Sequence, residues 1–507
     1  MFAGELGNSS AGTAAQADTI VPKLAKLHFN TIIMPAPWEE IEPAEGHYDF
    51  SVIDHWIGVS RQHNMHLVLL WFGSWKNGYS EYAPEWVKDN PERFPRAISI
   101  AGQPTEILST LGRETMRCDG EALAALMHHL RATDAAQQTV LMVQVENEMG
   151  FFGLGSRDRS AEANRLFAGP VPQRLIAFLE KHPGKLFPEI AGHFDPQGRT
   201  WAQVFGASAD EAFMAWHYAR FVDHVAAAGE AQYALPMYLN AQLPAPGERA
   251  GSYPSGGPHP GVQAIYQAAA PHINFYAPDI YWPNFEEWIE RYQRLGNPAF
   301  LPESQLGVAP FNALYLLGQA KGFGFSAFNV DALPENSLQA ADGPTLPQMY
   351  AVLDHLKGTI LAAQQSGKIR AMVLSTRDFR PTEYMTLGGY LFSAQLARSW
   401  PDFKLGEQNG GMMVIEQAPN EFLIVGAGLT VNFDRDPDTD NRLAGIASID
   451  QMIWKNGQWV VDEPLNGDQS NQGRQLLMDT HQVHVYRVKL FSYPRGVAVQ
   501  GDTPSAH

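Results

Sequence analysis

Short runs of Val, Ile, Leu and aromatic residues recur through the first two thirds of the chain, and between them apolar positions return at helical spacing. A run of four to eight such residues bounded by turn formers reads as a strand, and a 3.6-residue period reads as a helix with one buried face. Eight runs qualify as strands: residues 2–6, 31–36, 66–71, 139–147, 233–240, 273–281, 299–305 and 322–329. Residues 14–27 and 52–63 carry the helical period between the first three. Parallel strands need crossovers of this kind, and eight such units close into an α/β fold, the TIM (β/α)8 barrel. A doubly wound open sheet would carry a glycine-rich phosphate turn after its first strand, and GELGNSS at 4–10 does not fit that fingerprint.

The pattern changes after residues 346–365, a helical stretch suited to the last barrel helix. From about Ile369 the chain breaks into the strand-like pieces GMMVIEQ, EFLIVGAGLTVNF, GQWVVDE and QVHVYRVKLFSY, separated by Gly, Asn, Asp and Pro. Short strands without intervening helices predict a smaller all-β, sandwich-like domain. The sequence thus divides into a barrel over 1–368 and a β-domain over 369–507. Residues 241–260, dense in Pro and Gly after the fifth strand, predict a long loop on the barrel's active face, and the small polar residues 501–507 predict a frayed tail.

In such a barrel the reactive side chains sit where strands end and the following loops begin. The fourth strand, TVLMVQVENEMG, sets Leu141, Val143 and Val145 on one face and Gln144, Glu146 and Glu148 on the other. With the apolar face toward the helices, Glu148 rises at the mouth, and Glu146 lies a layer deeper, placed to orient other groups rather than react. The seventh strand, AFLPESQ, brings Glu303 to the same end. One glutamate at a strand end is ordinarily a solvated loop residue or a salt-bridge partner, and Glu39 and Glu146 are rival carboxylates. Two facing each other across a barrel mouth are what glycosidic cleavage requires. One protonates the leaving oxygen, and the other attacks the anomeric carbon or activates water.

Charge narrows the partners. With 54 acidic and 36 basic residues the net charge is −18, so a nucleic-acid phosphate backbone would be repelled, whereas a neutral sugar needs no basic funnel. No run reaches the roughly 18 apolar residues of a membrane-spanning helix. The single cysteine, Cys118, excludes an intrachain disulfide. The start MFAGELGNSS has no basic n-region or apolar h-region, which predicts a cytoplasmic home, or a periplasmic or secreted one if the natural start lies upstream. Trp38, Trp71, Trp75, Trp282 and Phe328 follow strand ends, where flat rings suit the C–H faces of sugars; the plain alternative for each is packing. Neither a nucleotide-phosphate loop nor a G-x-S-x-G elbow occurs, and His128 and His129 diverge on a helix instead of chelating, so no cofactor and no metal is predicted.

VQVENEMG at 143–150 resembles the acid/base strand of the glycoside hydrolase family 35 β-galactosidases, members of a barrel clan shared with family 42. PWEEIEPAEGHYDF and the residues after it, at 37–70, are similar to the W-x-x-x-E-P-x-x-G-x-Y-D-F stretch of both families, and GELGNSS is close to the motif ending the first strand in family 35. The resemblance spans about residues 1–330, and the C-terminal region looks like the small β-domain of a bacterial branch. It implies a retaining, exo-acting β-galactosidase working on oligosaccharides, with Glu148 as general acid/base and Glu303 as nucleophile. It also implies Asn147 on the sugar 2-hydroxyl and Tyr281 on the nucleophile. Where family 35 has a Cys-Ala-Glu segment this chain has WFGSWKNG, so Trp75 and Lys76, with Trp38, are the expected sugar contacts. That departure keeps a clan β-glycosidase of different sugar choice, or a non-catalytic sugar-binding relative, as alternatives. The chemistry requires a raised pKa at Glu148 and an ionised Glu303, about 5–5.5 Å apart if configuration is retained.

Overall fold

The structure, a computed structural model, describes residues 1–496 apart from 154, 246, 340–342, 377–381, 398–407 and 440, so the expected tail at 501–507 lies outside the described residues. Contacts gather the chain into two compact units, Met1–Leu306 with Gly322–Glu335, and Gly307–Lys321 with Asn336–His507.

The first unit is the barrel. Seven parallel strands form one sheet in the order Ala3–Glu5, Thr31–Pro37, His66–Lys76, Val140–Asn147, Met237–Gln242, Phe275–Ile280 and Glu303–Ser304. The seventh strand is interrupted at Pro302, which has no N–H to give a ladder, and its earlier half, Phe300–Leu301, pairs with the eighth strand, Gly324–Phe325. A bridge from Phe2 to Phe325 and a bond from Glu5 N–H to the Ala327 carbonyl (2.9 Å) bring the eighth strand back to the first. Between strands run the helices that the apolar period predicts, among them Ala14–Lys26, started by a reciprocal Thr13–Gln16 capping box, and Ser51–Gln62.

One apolar cluster takes Ala3, Ile33, Val68, Leu70, Phe72, Met142, Tyr238, Phe275, Ala277 and Phe300 from seven successive strands. Only the barrel lumen is touched by so many strands, so this cluster is the packed interior, and the buried carboxyls Glu5, Glu146, Asp279 and Glu303 lie at the strands' C-terminal ends. No helix among the described residues is long and apolar enough to cross a membrane.

The second unit is the β-domain, and its described residues also include the α-helices Ala309–Gly318 and Leu346–Ser366. A six-stranded antiparallel sheet orders Ile369–Ser375, Asn409–Ala418, Glu421–Ala427, His484–Pro494, Arg442–Lys455 and Gln458–Leu465. A four-stranded sheet orders Thr382–Leu387, Tyr390–Leu396, Leu429–Arg435 and Leu476–Leu477. Phe392, Met412, Phe422, Ile424, Val431 and Val488 come from both sheets into one apolar cluster, which is sandwich packing. A boundary at 368 would leave helix Leu346–Ser366 with the barrel; by contacts it groups with the β-unit instead, as does helix Ala309–Gly318. The cause is local: Ala309–Gly318 is buried along its whole length, and a Cβ at Gly318 would stand 2.7 Å from the Ala371 Cβ.

Candidate active site

The end of the fourth strand departs from a regular pleat. Glu146 and Glu148, on either side of Asn147, have φ of 59° and 42°, the left-handed region that costs a non-glycine residue about 1–3 kcal/mol. Surrounding hydrogen bonds fix this geometry. The Gln144 amide donates to the Glu146 carbonyl (3.0 Å), the Asn77 N–H donates to the Asn147 carbonyl (3.0 Å), and the Glu148 N–H donates to Asn240 Oδ1 (2.9 Å). Asn240, at the fifth strand, in turn donates from Nδ2 to Asp279 Oδ2 on the sixth (2.6 Å).

Glu303 enters from the seventh strand. The nearest carboxyl oxygens of Glu148, Asp279 and Glu303 all lie within 4.8 Å of one another, and all three residues are buried. The Tyr281 hydroxyl donates to Glu303 Oε1, and Asn77 Nδ2 donates to Glu148 Oε2 (2.6 Å). Glu5, buried at the end of the first strand, hydrogen-bonds Glu303. Lys76 supplies positive charge to Glu148 and Glu303, and its ammonium lies over the Phe72 ring, 5.4 Å from the centroid.

These neighbours separate the two glutamates. Burial and the Glu303 charge raise Glu148 to about 7, against the counteracting charge of Lys76 and the Asn77 bond. Burial also raises Glu303, while Lys76, Tyr281 and Glu5 all favour its ionised form. Asp279 is held well above the usual carboxylate range by burial and by Glu303 and Glu148. Among the described residues Glu148, Asp279 and Glu303 are the group that could hold a metal ion, yet proton transfer and attack by two carboxyls need none.

Asn147 is buried, and neither its Oδ1 nor its Nδ2 has a hydrogen-bond partner. An amide left this way in a packed interior loses about 1–3 kcal/mol per group, which a ligand hydroxyl would recover. An open cavity of about 930 Å³ adjoins the site, with Asn8, Lys76, Tyr79, Tyr82, Glu303 and Phe328 in its wall. Trp282, 40% exposed, follows Tyr281 and donates from Nε1 to the Leu243 carbonyl (3.1 Å).

Glu148, Glu303, Tyr281 and Lys76 lie together at the barrel mouth, with Asn147 next to Glu148 in the chain, whereas Trp38 and Trp75 do not present a face to a sugar. Both are fully buried. Trp38 Nε1 donates to Glu42 Oε2 (2.8 Å), and Trp75 packs edge-on against Tyr218 and Phe221 while its Nε1 donates to the Leu108 carbonyl (3.1 Å). The third strand runs on through residues 72–76, which carries Trp75 into the wall and leaves Lys76 at the mouth. Asn77, Asn240 and Asp279 escaped the sequence reading. The last two sit at or beside predicted strand ends, so the strand-end rule held the signal; Asn77 owes its place to a bulge that no local pattern announces. In the segment after the fifth strand, Tyr253 donates to Glu211 (2.7 Å) and His259 stands 3.0 Å from the same oxygen, which pins both residues.

Residues 10–176 match the glycoside hydrolase family 42 model described as Beta-galactosidase, and residues 346–477 match a Domain of unknown function (DUF5597). The first match holds Asn147, Glu148 and Lys76 but stops short of Glu303. No curated protein matches the chain in sequence. Among solved structures, the β-galactosidase of the psychrophilic Marinomonas ef1 is similar at 10% identity and TM-score 0.49, over 72% of this chain and 60% of that one. The β-galactosidase of the Antarctic haloarchaeon Halorubrum lacusprofundi gives 12% and 0.45, over 71% and 59%. The β-amylase catalytic domain of Paenibacillus polymyxa gives 10% and 0.46, over 66% and 93%. The chain therefore spans less than two thirds of the length of these two β-galactosidases. The family match lies at the level of the clan that families 35 and 42 share, and not in family 35 itself.

Proposed function

We propose that this barrel-clan glycoside hydrolase is a retaining, exo-acting β-galactosidase that releases terminal β-D-galactose from oligosaccharides. The observation that carries the reading is the pair of buried glutamates at the ends of the fourth and seventh strands, with nearest oxygens within 4.8 Å. That approach suits the short separation of a double displacement better than the roughly 6.5–9.5 Å that leaves room for an inverting water. Galactose is the sugar named by the family description that residues 10–176 match.

In the first step a Glu303 oxygen attacks the anomeric carbon while Glu148 gives its proton to the leaving glycosidic oxygen. Glu148 keeps a proton near neutrality because its pKa stands at about 7. Tyr281, Glu5 and Lys76 hold the Glu303 carboxylate ready, and the ester that forms cancels its charge. The ionised Glu148 then takes a proton from water, which attacks the same carbon and frees the sugar and Glu303. Asn147 offers the donor and acceptor that a 2-hydroxyl needs.

Lys76 and Asn77 stand where the family 35 galactose contacts are expected, and this favours a clan β-glycosidase of altered sugar choice as the second reading. A panel of chromogenic β-glycosides, with the first product followed by NMR, separates the readings. Release of β-galactose ahead of mutarotation supports the proposal. An initial α-anomer removes retention, turnover of another sugar alone selects the second reading, and binding without any turnover removes catalysis.

A further inference from the structure

Beneath the acid/base lies a second carboxyl pair that the reaction does not use. Glu146 and Asp119 are both buried, Asp119 on helix Arg113–Thr133. The Ser74 N–H points between them, 3.0 Å from Asp119 Oδ2 and 3.2 Å from Glu146 Oε1, and the two carboxyls hydrogen-bond each other. Two carboxylates cannot make that contact without a proton. The other donors around them decide its place. Asp119 Oδ1 accepts from Trp71 Nε1 (2.8 Å), and Oδ2 accepts from the Ser74 hydroxyl (2.5 Å) as well as its N–H. Both Asp119 oxygens are taken as acceptors. Glu146 Oε2 accepts from the Trp75 N–H (2.7 Å), while its Oε1 takes only the longer branch of the Ser74 N–H (3.2 Å); of the four oxygens it is the most weakly engaged, and the proton toward Asp119 belongs there.

What the pair holds is a bulge. Trp71 pairs with Val145 and Lys76 with Asn147, so residues 72–75 of the third strand stand opposite the single residue Glu146. Gly73 lies so close that a Cβ there would meet Asp119 Oδ1 and Glu146 Oε1, each at 2.8 Å. The bulge sets Asn77, whose N–H reaches the Asn147 carbonyl and whose side chain reaches Glu148.

We propose that Asp119 and Glu146 are positioning residues that share one proton, carried on Glu146, and that by holding the bulge at residues 72–75 they place Asn77 against Glu148 and so set that group's proton affinity. The proposal rests on Glu148 being the acid/base, but its proton is measurable without any turnover. Burial and the Asp119 charge hold Glu146 far above the usual carboxylate range, in keeping with the assignment. Among the described residues Glu303, Asp279, Lys76, Asn77 and, from the first strand, Glu5 act on the Glu148 carboxyl, and Asn240 holds its N–H.

Two measurements test it. In the pH profile of kcat/KM, Asp119→Asn must turn an N–H toward Trp71 or Ser74, both donors, so the bulge is released. The alkaline limb then moves up by roughly one pH unit, as it does in Asn77→Ala, because Glu148 loses a donor to its ionised form. The conservative Glu146→Gln keeps an acceptor for Trp75 and a donor for Asp119, and leaves the limb in place. A folded Asp119→Asn with an unmoved limb, or a Glu146→Gln limb displaced as far as that of Asn77→Ala, overturns the proposal. Should Asp119→Asn not fold, infrared difference spectroscopy of wild type against Glu146→Gln at neutral pH decides. A protonated-carboxyl band lost in the variant supports the shared proton, and no such band overturns it. If the wild type hydrolyses no glycoside while the band is present, the glycosidase reading has failed and the proton pair has not.

Discussion

In the β-unit, left-handed backbone falls on residues such as Asn420 and Asn456, in the tight turns between antiparallel strands, whereas at the barrel mouth it falls on Glu146 and Glu148. Asparagine tolerates that region because its short amide bonds locally, but glutamate has no such compensation. The same contrast runs through the buried groups. The sandwich core is apolar, with Phe392 and Phe422 edge-on at 5.2 Å, while the barrel mouth buries Glu5, Glu146, Glu148, Asp279 and Glu303. Among the described residues, every buried side-chain polar atom without a partner except Trp459 Nε1 belongs to the barrel unit. Where local rules and global fold agree, the region serves stability; where they conflict and the conflict persists, the surrounding structure is holding chemistry in place.

The contrast breaks first at the proposed nucleophile. Glu303→Gln should cost about 10⁴-fold or more in kcat, because the covalent step disappears. Its thermal midpoint should not fall, since one of several crowded carboxyls is neutralised; a marked drop in midpoint would mean that Glu303 is structural. Next in size is Phe422→Ala in the sandwich, expected to cost about 3–5 kcal/mol in chemical denaturation. The pH dependence of hydrolysis should be unchanged in that variant, and a moved profile would erase the division of labour between the regions.

The smallest effect concerns pH and stability. Glu148 binds its proton more tightly folded, about 7 against an ordinary 4.5, so its stabilising contribution is complete below about 4.5 and is lost as pH rises through 7. The loss is on the order of 3 kcal/mol at most. His217, half-buried and pushed down to about 4 by desolvation, acts in the opposite sense, its contribution fading as pH falls. The useful measurement is therefore the difference between wild type and Glu148→Gln across that window. The variant should gain on the wild type as pH rises, and a constant difference would show that Glu148 titrates normally.

Local chemistry wrote much of this protein directly. The 2- and 3.6-residue periods of apolar side chains fix which segments become strands and helices, since each segment must bury one face. The strand-end rule then narrows 54 acidic residues to a few candidates, Glu148 and Glu303 with Glu146 and Glu39 as rivals, and the change of period near Ile369 announces the β-domain. Tertiary structure decided the rest. Trp38 and Trp75 lie next to strand ends in sequence, yet packing turns both indoles into the wall. The pairing of Asp119 with Glu146, the reach of Asn77 to Glu148, and the pKa of about 7 at Glu148 arise between residues dozens of positions apart. Periodicity is a property of neighbours along the chain, but desolvation, charge coupling and a bulge's register depend on which distant groups the closed barrel brings within a few ångströms.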